Sequence, residues 1–249
     1  MPFKGSTSAY WGGYKYFGAS PKVRQAYRDA IKEREYTRIY FDLFGDWGPK
    51  EDYFAAPAKL VPFLKESAED CLGPVLWLGP EDDDKAQAKY GKNNWDEYVK
   101  HLKKFVPAVD QYVAEYILGV EVEEYWSDQI VAKIGTALRK LTKKPIWVHR
   151  KTGQHGAWSW WKAQKWVTGL AFQFEKRDNQ GGKGFLAHPD DVREATEVYA
   201  GRLKTQGGGK KFLANEYAFK RPEEKAIAVG KAALEAGAVG FSNGGPAPR

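Results

Sequence analysis

Short runs of apolar residues alternate along the chain with longer segments in which apolar residues recur every three to four positions. The first pattern suits strands buried on both faces, and the second suits helices with one inward stripe. TSAYWGGYK, ending near Lys15, predicts the first strand. TRIYFDLFG (37–45), VLWLGP (75–80), YILGVEVEEYW (116–126) and PIWVHR (145–150) predict the second to fifth. GLAFQF (169–174), KKFLANEYAF (210–219) and AVGFSNG (238–244) predict the last three. Between them, Ser20-Pro21 reads as N-cap and first-turn proline of a helix with Val23, Ala26, Tyr27, Ala30 and Ile31 on one face. PFLKESAEDCL predicts a helix with Pro62 in its first turn. Asn94 caps a helix bearing Trp95, Tyr98, Leu102, Phe105 and Val109, which Pro107 ends or kinks. Ser127 caps another, with Ile130, Ile134, Ala137, Leu138 and Leu141 inward. A Trp-rich turn, WSWWKAQKW, and helices over 189 to about 203 and 222 to 234 complete the series.

Strands that each lead into a helix imply a parallel sheet. Eight such units in a chain of 249 residues match the size of a closed barrel, so the expectation is α/β, a single (β/α)8 TIM barrel domain over residues 1–249. An open doubly wound sheet would carry a glycine-rich phosphate loop after its first strand, and AYWGGYKYFG is not G-x-G-x-x-G.

Composition narrows the partners. With 43% hydrophobic residues the chain can bury a sizeable core, and its 10 tryptophans can fill that core or stack on flat ligands. A formal net charge of +7 favours an acidic polymer, but the basic residues are spread out, so nucleic acid is not the expected partner. The lone Cys71 excludes an internal disulfide, and the four histidines lack zinc-type spacing. No cofactor or metal is implied. MPFKGSTSAYWGG has no apolar core of a signal peptide, and no apolar run reaches membrane-spanning length. The expectation is a soluble chain without a membrane partner; location and oligomeric state are left open.

In such a barrel, chemistry sits at the C-terminal ends of the strands. Those ends offer Asp42 on the second, Glu121, Glu123 and Glu124 on the fourth, and His149 with Arg150 on the fifth. The sixth offers Gln173, the seventh Asn215 and Glu216, and the eighth Ser242 and Asn243. This set is rich in carboxylates and lacks a serine or cysteine nucleophile with a base partner. Strand alternation places Leu118, Val120 and Val122 against helices and turns Glu121 and Glu123 into the barrel mouth. On the seventh strand, Phe212, Ala214 and Glu216 share a parity; small Ala214 suits the interior, which would bring Glu216 to the mouth, although Leu213 and Tyr217 could equally face in. Two carboxylates across a cleft are what glycoside hydrolysis needs, one protonated as acid and one ionised. Trp11, Trp47 and Trp126 lie at or past strand ends, where they could stack on sugars or pack the rim. The Trp158, Trp160, Trp161 and Trp166 cluster reads as helix packing against the barrel. EDDD (81–84) reads as a solvated loop, and EKRDNQGGKGFLAHPD as a long connection or a lid.

These residues resemble those of the superfamily of (β/α)8 retaining glycoside hydrolases whose catalytic glutamates end strands four and seven. KKFLANEYAF is similar to the strand in which the nucleophile follows a small polar residue and precedes an aromatic, which implies Glu216. TRIYFDLF is similar to the strand that carries an arginine near the nucleophile, which implies Arg38. EVEEYW resembles the acid/base strand, where alternation favours Glu123 and the motif's order favours Glu124; Glu123 is the expectation. The chain departs from the pattern in lacking the asparagine before the acid/base, in having Phe174 where strand six often gives a tyrosine, and in having Ser242-Asn243 where strand eight often ends in tryptophan. The resemblance implies hydrolysis of a polysaccharide or a cell-wall or cell-surface glycan, and the net charge allows that polymer to be anionic. Two other classes fit the same residues. One is a metal-dependent barrel enzyme with Asp42, Glu81, Glu121, Glu123 and Glu216 as oxygen ligands. The other is a barrel that binds carbohydrate without turnover.

Overall fold

The computed structural model describes residues 3–6, 15–44, 51–79, 89–90, 93–151, 157–173, 186, 188–217 and 223–243. Eight parallel strands close into a barrel in sequence order: β1 (Phe3–Ser6), β2 (Tyr36–Asp42), β3 (Gly73–Leu78), β4 (Glu115–Leu118), β5 (Ile146–Arg150), β6 (Gly169–Gln173), β7 (Lys211–Tyr217) and β8 (Phe241–Asn243). The seam closes where Gly5 and Ser6 of β1 pair with Phe241 and Ser242 of β8. Each of the first seven strands leads into a helix: α1 (Pro21–Glu33), α2 (Pro57–Glu69), α3 (Trp95–Val109), α4 (Asp128–Arg139), α5 (Trp158–Ala163), α6 (Pro189–Thr205) and α7 (Glu223–Glu235). The (β/α)8 barrel expected from the apolar pattern is met.

Two apolar layers account for the continuous hydrophobic strands. Tyr40, Val75, Trp77, Ile117, Trp147, Ala171 and Leu213 form a cluster inside the barrel. Their neighbours of opposite parity, such as Phe41, Leu76, Tyr116, Val148, Phe172 and Phe212, pack outward under the helices. Glycine makes room for the interior tryptophans: a Cβ at Gly169 would stand 2.0 Å from the Lys211 carbonyl oxygen and 2.8 Å from the Trp147 ring.

Several expectations are corrected. The first barrel strand is FKGS, ahead of TSAYWGGYK; Lys15 begins a helical turn, and residues 7–14 lie outside the described ones. A strand this short and polar leaves no readable alternation, so only its pairing defines it. In α1, Ser20 caps as expected, accepting from the Val23 N–H at 3.4 Å, but Val23 itself is 48% exposed and Ala26 is exposed. The inward stripe is Tyr27, Arg28 and Ile31, because a charged seam joins α1 to α2: Arg24 and Arg28 pair with Glu66 at 2.7 and 3.0 Å. Helix α2 starts at Pro57, which takes the first-turn position expected for Pro62. Pro107 lies inside α3, which runs on to Val109, and Asn94 makes no side-chain cap bond. Inside β7 it is Leu213 that faces the barrel interior, while Ala214 packs outward.

Candidate active site

The end of β4 is where the sequence reading and the structure differ most. The strand stops at Leu118, so alternation does not govern the glutamates beyond it. Gly119 (φ +70°) turns the chain; a Cβ there would meet Val122 at 2.1 Å and the Tyr125 hydroxyl at 2.6 Å. Val120 falls back on the interior cluster rather than on helices, and its N–H donates to the Tyr125 hydroxyl at 2.8 Å. Glu121 adopts the left-handed conformation (φ 49°, ψ 53°), and a 3-10 turn over Val122–Glu124 follows. A non-glycine residue held there carries strain of about 1 kcal/mol or more.

This turn sends the acids to different faces. The Glu121 N–H donates to Nδ1 of buried His149 at 3.0 Å, which leaves the ring proton on Nε2. His149 shares the inward parity of Trp147, and its ring meets the edge of Trp77 at 5.2 Å. The Glu121 carboxylate lies 2.7 Å from Lys151 Nζ, which also pairs with Glu124. Glu123 points elsewhere. Its Oε1 accepts from the Lys151 N–H at 2.7 Å, and its Oε2 lies 3.6 Å from Nε of Arg150. Arg150 has the outward parity, sitting over the Trp161 ring at 5.7 Å and bonded to Asp128 at 2.7 Å.

Burial raises the pKa of Glu121, and the nearby Lys151 only partly offsets it, so it is pushed up to about 7. Burial also raises Glu123, against hydrogen bonds from its own backbone and that of Lys151. Burial works against the charge of Lys151, but the carboxylates of Glu121 and Glu124 outweigh it and hold the ammonium well above the usual lysine range.

Four other expected residues share the mouth. Asp42, His149, Gln173 and Asn215 are all buried and continue the inward parity of Tyr40, Trp147, Ala171 and Leu213. Asp42 accepts from the Phe44 N–H at 3.0 Å. Asn215 is fully buried, and neither its amide nitrogen nor its oxygen has a partner among the described residues. Glu216 follows it on β7 and is described as backbone only. Between Ala214 and Tyr217, β7 advances three residues while β8 advances two, from Phe241 to Asn243. Such a bulge removes alternation as a guide to residue 216.

Two expected residues are not brought to this site. Arg38 lies at the opposite end of the barrel: it pairs in register with Gly73, the first residue of β3. Its Nε bonds at 2.9 Å to Glu115, the first residue of β4, whose other oxygen accepts from Trp147 Nε1 at 2.8 Å. Trp126 is buried against Tyr98 and Tyr125, and its indole N–H donates to the Tyr90 carbonyl at 3.1 Å; it packs the rim rather than offering a face. Trp158, Trp161 and Trp166 are buried, as expected of helix packing. Trp11, Trp47, Glu81 with the EDDD segment, Phe174 and residues 175–185 lie outside the described residues. Lys151 and Tyr125 went unnoticed in the sequence. The signal for Lys151 was its place one residue past a strand end beside a neighbouring strand end with three acids. Among the described residues, no group of three or more His, Cys, Asp or Glu side chains is placed to hold a metal ion, and no helix is long and apolar enough to cross a membrane.

Compared with known proteins, the chain matches no family model and no curated protein. Solved structures do resemble it. A β-mannanase of family GH113 from Alicyclobacillus acidocaldarius is 10% identical over 97% of this chain and 86% of that one, with a TM-score of 0.60. A thermostable mutant of a xylanase from Cellvibrio japonicus is 10% identical over 98% and 86%, with a TM-score of 0.64. A GH5-4 broad specificity endoglucanase from Clostridium longisporum is 9% identical over 98% and 86%, at 0.62. At these identities the likeness establishes the fold: a (β/α)8 barrel of the form seen in these glycoside hydrolases.

Proposed function

We propose that this chain is a glycoside hydrolase acting on a polysaccharide through two glutamates and a retaining mechanism. The observation that carries the reading is Glu121: a carboxyl pushed up to about 7 at the C-terminal end of β4, bonded through its backbone to the inward His149. Glu121 replaces Glu123 as the proposed acid/base, since Glu123 turns to the outward Arg150. Glu216 on β7 is the proposed nucleophile. The Glu216 carboxylate attacks the anomeric carbon while protonated Glu121 gives its proton to the departing glycosidic oxygen. Ionised Glu121 then takes a proton from water, which displaces Glu216 and regenerates both groups. Buried Asp42, Gln173 and Asn215 shape the floor of the sugar site, and His149 holds the turn that carries Glu121. The neighbours' names make β-mannan, xylan and β-glucan the first substrates to try.

Released reducing ends from a panel of polysaccharides test the activity. Glu216→Gln should abolish turnover. Glu121→Gln should lower kcat on polysaccharide by about 10²-fold or more. It should spare kcat/KM of a 2,4-dinitrophenyl glycoside, whose leaving group needs no proton, while loss of the base slows release of the glycosyl-enzyme. If Glu123→Gln shows that pattern and Glu121→Gln does not, the acid assignment is wrong. Binding of glycan without any turnover would instead identify a non-catalytic barrel.

A further inference from the structure

Three adjacent connections on the N-terminal face of the barrel carry a chemistry opposite to that of the acidic end of β4. Segments 139–145 (RKLTKKP), 158–169 (WSWWKAQKWVTG) and 201–213 (GRLKTQGGGKKFL) contain no Asp or Glu. They lead into β5, β6 and β7, which are adjacent in the barrel. The first brings exposed Lys140 and Lys143, the second exposed Lys162 and Lys165, and the third exposed Lys211 beside half-buried Lys210.

Direct contacts join the three segments into one surface. Arg139 Nε donates to the Trp166 carbonyl at 3.0 Å, and its Nη1 to the carbonyls of Thr142 and Lys144 at 3.1 and 2.9 Å. Lys210 Nζ donates to the Val167 carbonyl at 3.0 Å, and the Lys211 N–H bonds the Thr168 carbonyl. Among the described residues none of these cations forms an ion pair. Asp110, which reaches this end of the barrel, accepts from the hydroxyls of Tyr116 and Thr142 instead. The mutual repulsion registers on Lys210: burial, then Lys165 and Arg139, hold it below the usual lysine range.

We propose that this face is a docking surface for an acidic polysaccharide. Trp158, Trp161 and Trp166 are buried and half-buried Trp160 packs edge-on against Trp161, so the segment offers no row of open rings for stacked bases, and Arg139 commits its guanidinium to three carbonyls. What is left is a set of exposed point charges, which suits spaced carboxylates or sulfates on a glycan. The choice of polysaccharide among polyanions rests on the proposed glycosidase activity. A surface on the far side of the barrel from the cleft would tether a long polymer without occupying the cleft.

Binding to polygalacturonate, with heparin as a second probe, tests this in the turnover-blocked Glu216→Gln chain. Combined Lys143→Glu, Lys165→Glu and Lys211→Glu should weaken binding by about tenfold or more, and flatten its dependence on salt. Lys22→Glu, Lys103→Glu and Lys104→Glu together make the same change in net charge and should leave binding near the parent value. The milder Lys143→Gln, Lys165→Gln and Lys211→Gln set, checked for an unchanged Tm, should move in the same direction as its charge-reversed counterpart. Equal loss in both charge-reversed triples, or no loss in either, overturns the proposal. So does tighter binding to duplex DNA or to phosphatidylserine vesicles than to polygalacturonate. Because binding is read without turnover, a chain that binds but never hydrolyses leaves the surface standing, and one that hydrolyses but does not bind leaves only the glycosidase.

Discussion

At the scale of single residues, Glu121 is set by its burial and by two neighbours, with separable effects. Burial raises its pKa, Lys151 lowers it, and His149 fixes its backbone. With the carboxyl pushed up to about 7, the protonated acid is the major form below that pH and is lost as pH rises through it. The alkaline limb of kcat/KM should therefore fall near 7. Removing the Lys151 ammonium removes a cation that favours the ionised form, so Lys151→Met should move that limb upward, by roughly one unit. A downward or absent shift in the pH profile would show that Glu121 is not the titrating acid. His149 acts through geometry. Its Nδ1 holds the Glu121 N–H in a left-handed turn that a glutamate does not favour. His149→Ala should lower kcat/KM on polysaccharide by about tenfold or more while kcat/KM of a 2,4-dinitrophenyl glycoside, whose departure needs no acid, is retained. Equal loss on both substrates would assign His149 to substrate contact instead.

At the scale of elements, periodicity revealed what repetition can reveal. Strands β2 to β8 and the helices between them follow from apolar runs and 3.6-residue stripes, because a sheet covered on both faces and a helix on its surface have no other way to be buried. Alternation failed past β4 because it holds only while the backbone stays extended: the strand stops at Leu118 and Gly119 turns the chain before any of the three glutamates is reached. On β7 the parity itself was misread, since Leu213 faces in and Ala214 packs outward. The mouth residues Asp42, His149 and Gln173 lie within regular strand, and their place at the strand ends was legible; Asn215 faces in with Leu213, against the parity expected of β7. Arg38 was misplaced because a motif match ignores depth: Arg38 and Asp42 share a face of β2 but stand at opposite ends of it. Arg38→Met should thus leave the nearly buried Glu115 carboxylate without its cation and cost about 3 kcal/mol of stability, with kcat of the folded fraction unchanged. Urea melts and active-site-normalised rates check both halves; a large fall in kcat at full stability would restore the resemblance's role for this arginine. Trp126→Ala should likewise lower stability by about 3 to 5 kcal/mol and leave KM for polysaccharide unchanged.

At the scale of the whole molecule, the described residues hold one acidic and one basic cluster at different ends of the barrel. Carboxylates gather where β4 ends, and lysines gather on the connections that enter β5, β6 and β7. A net charge of +7 is thus not a uniform coat. An acidic polymer long enough to reach both ends would be concentrated by the lysine face and cleaved at the other, while a short oligosaccharide would meet only the cleft. Added salt screens exposed charges over about 8 to 10 Å near physiological strength, so it should weaken the tether far more than contacts inside a buried site. KM for an acidic polysaccharide should rise steeply between about 50 and 300 mM salt, on the order of tenfold, with kcat nearly constant. KM for a short neutral oligosaccharide should stay flat over the same range. The variant with Lys143→Glu, Lys165→Glu and Lys211→Glu should begin at the high-salt KM for the polymer and respond little to further salt, without change on the oligosaccharide. A parallel rise for both substrates would place the salt-sensitive charges in the cleft, and would leave the lysine face with no part in turnover.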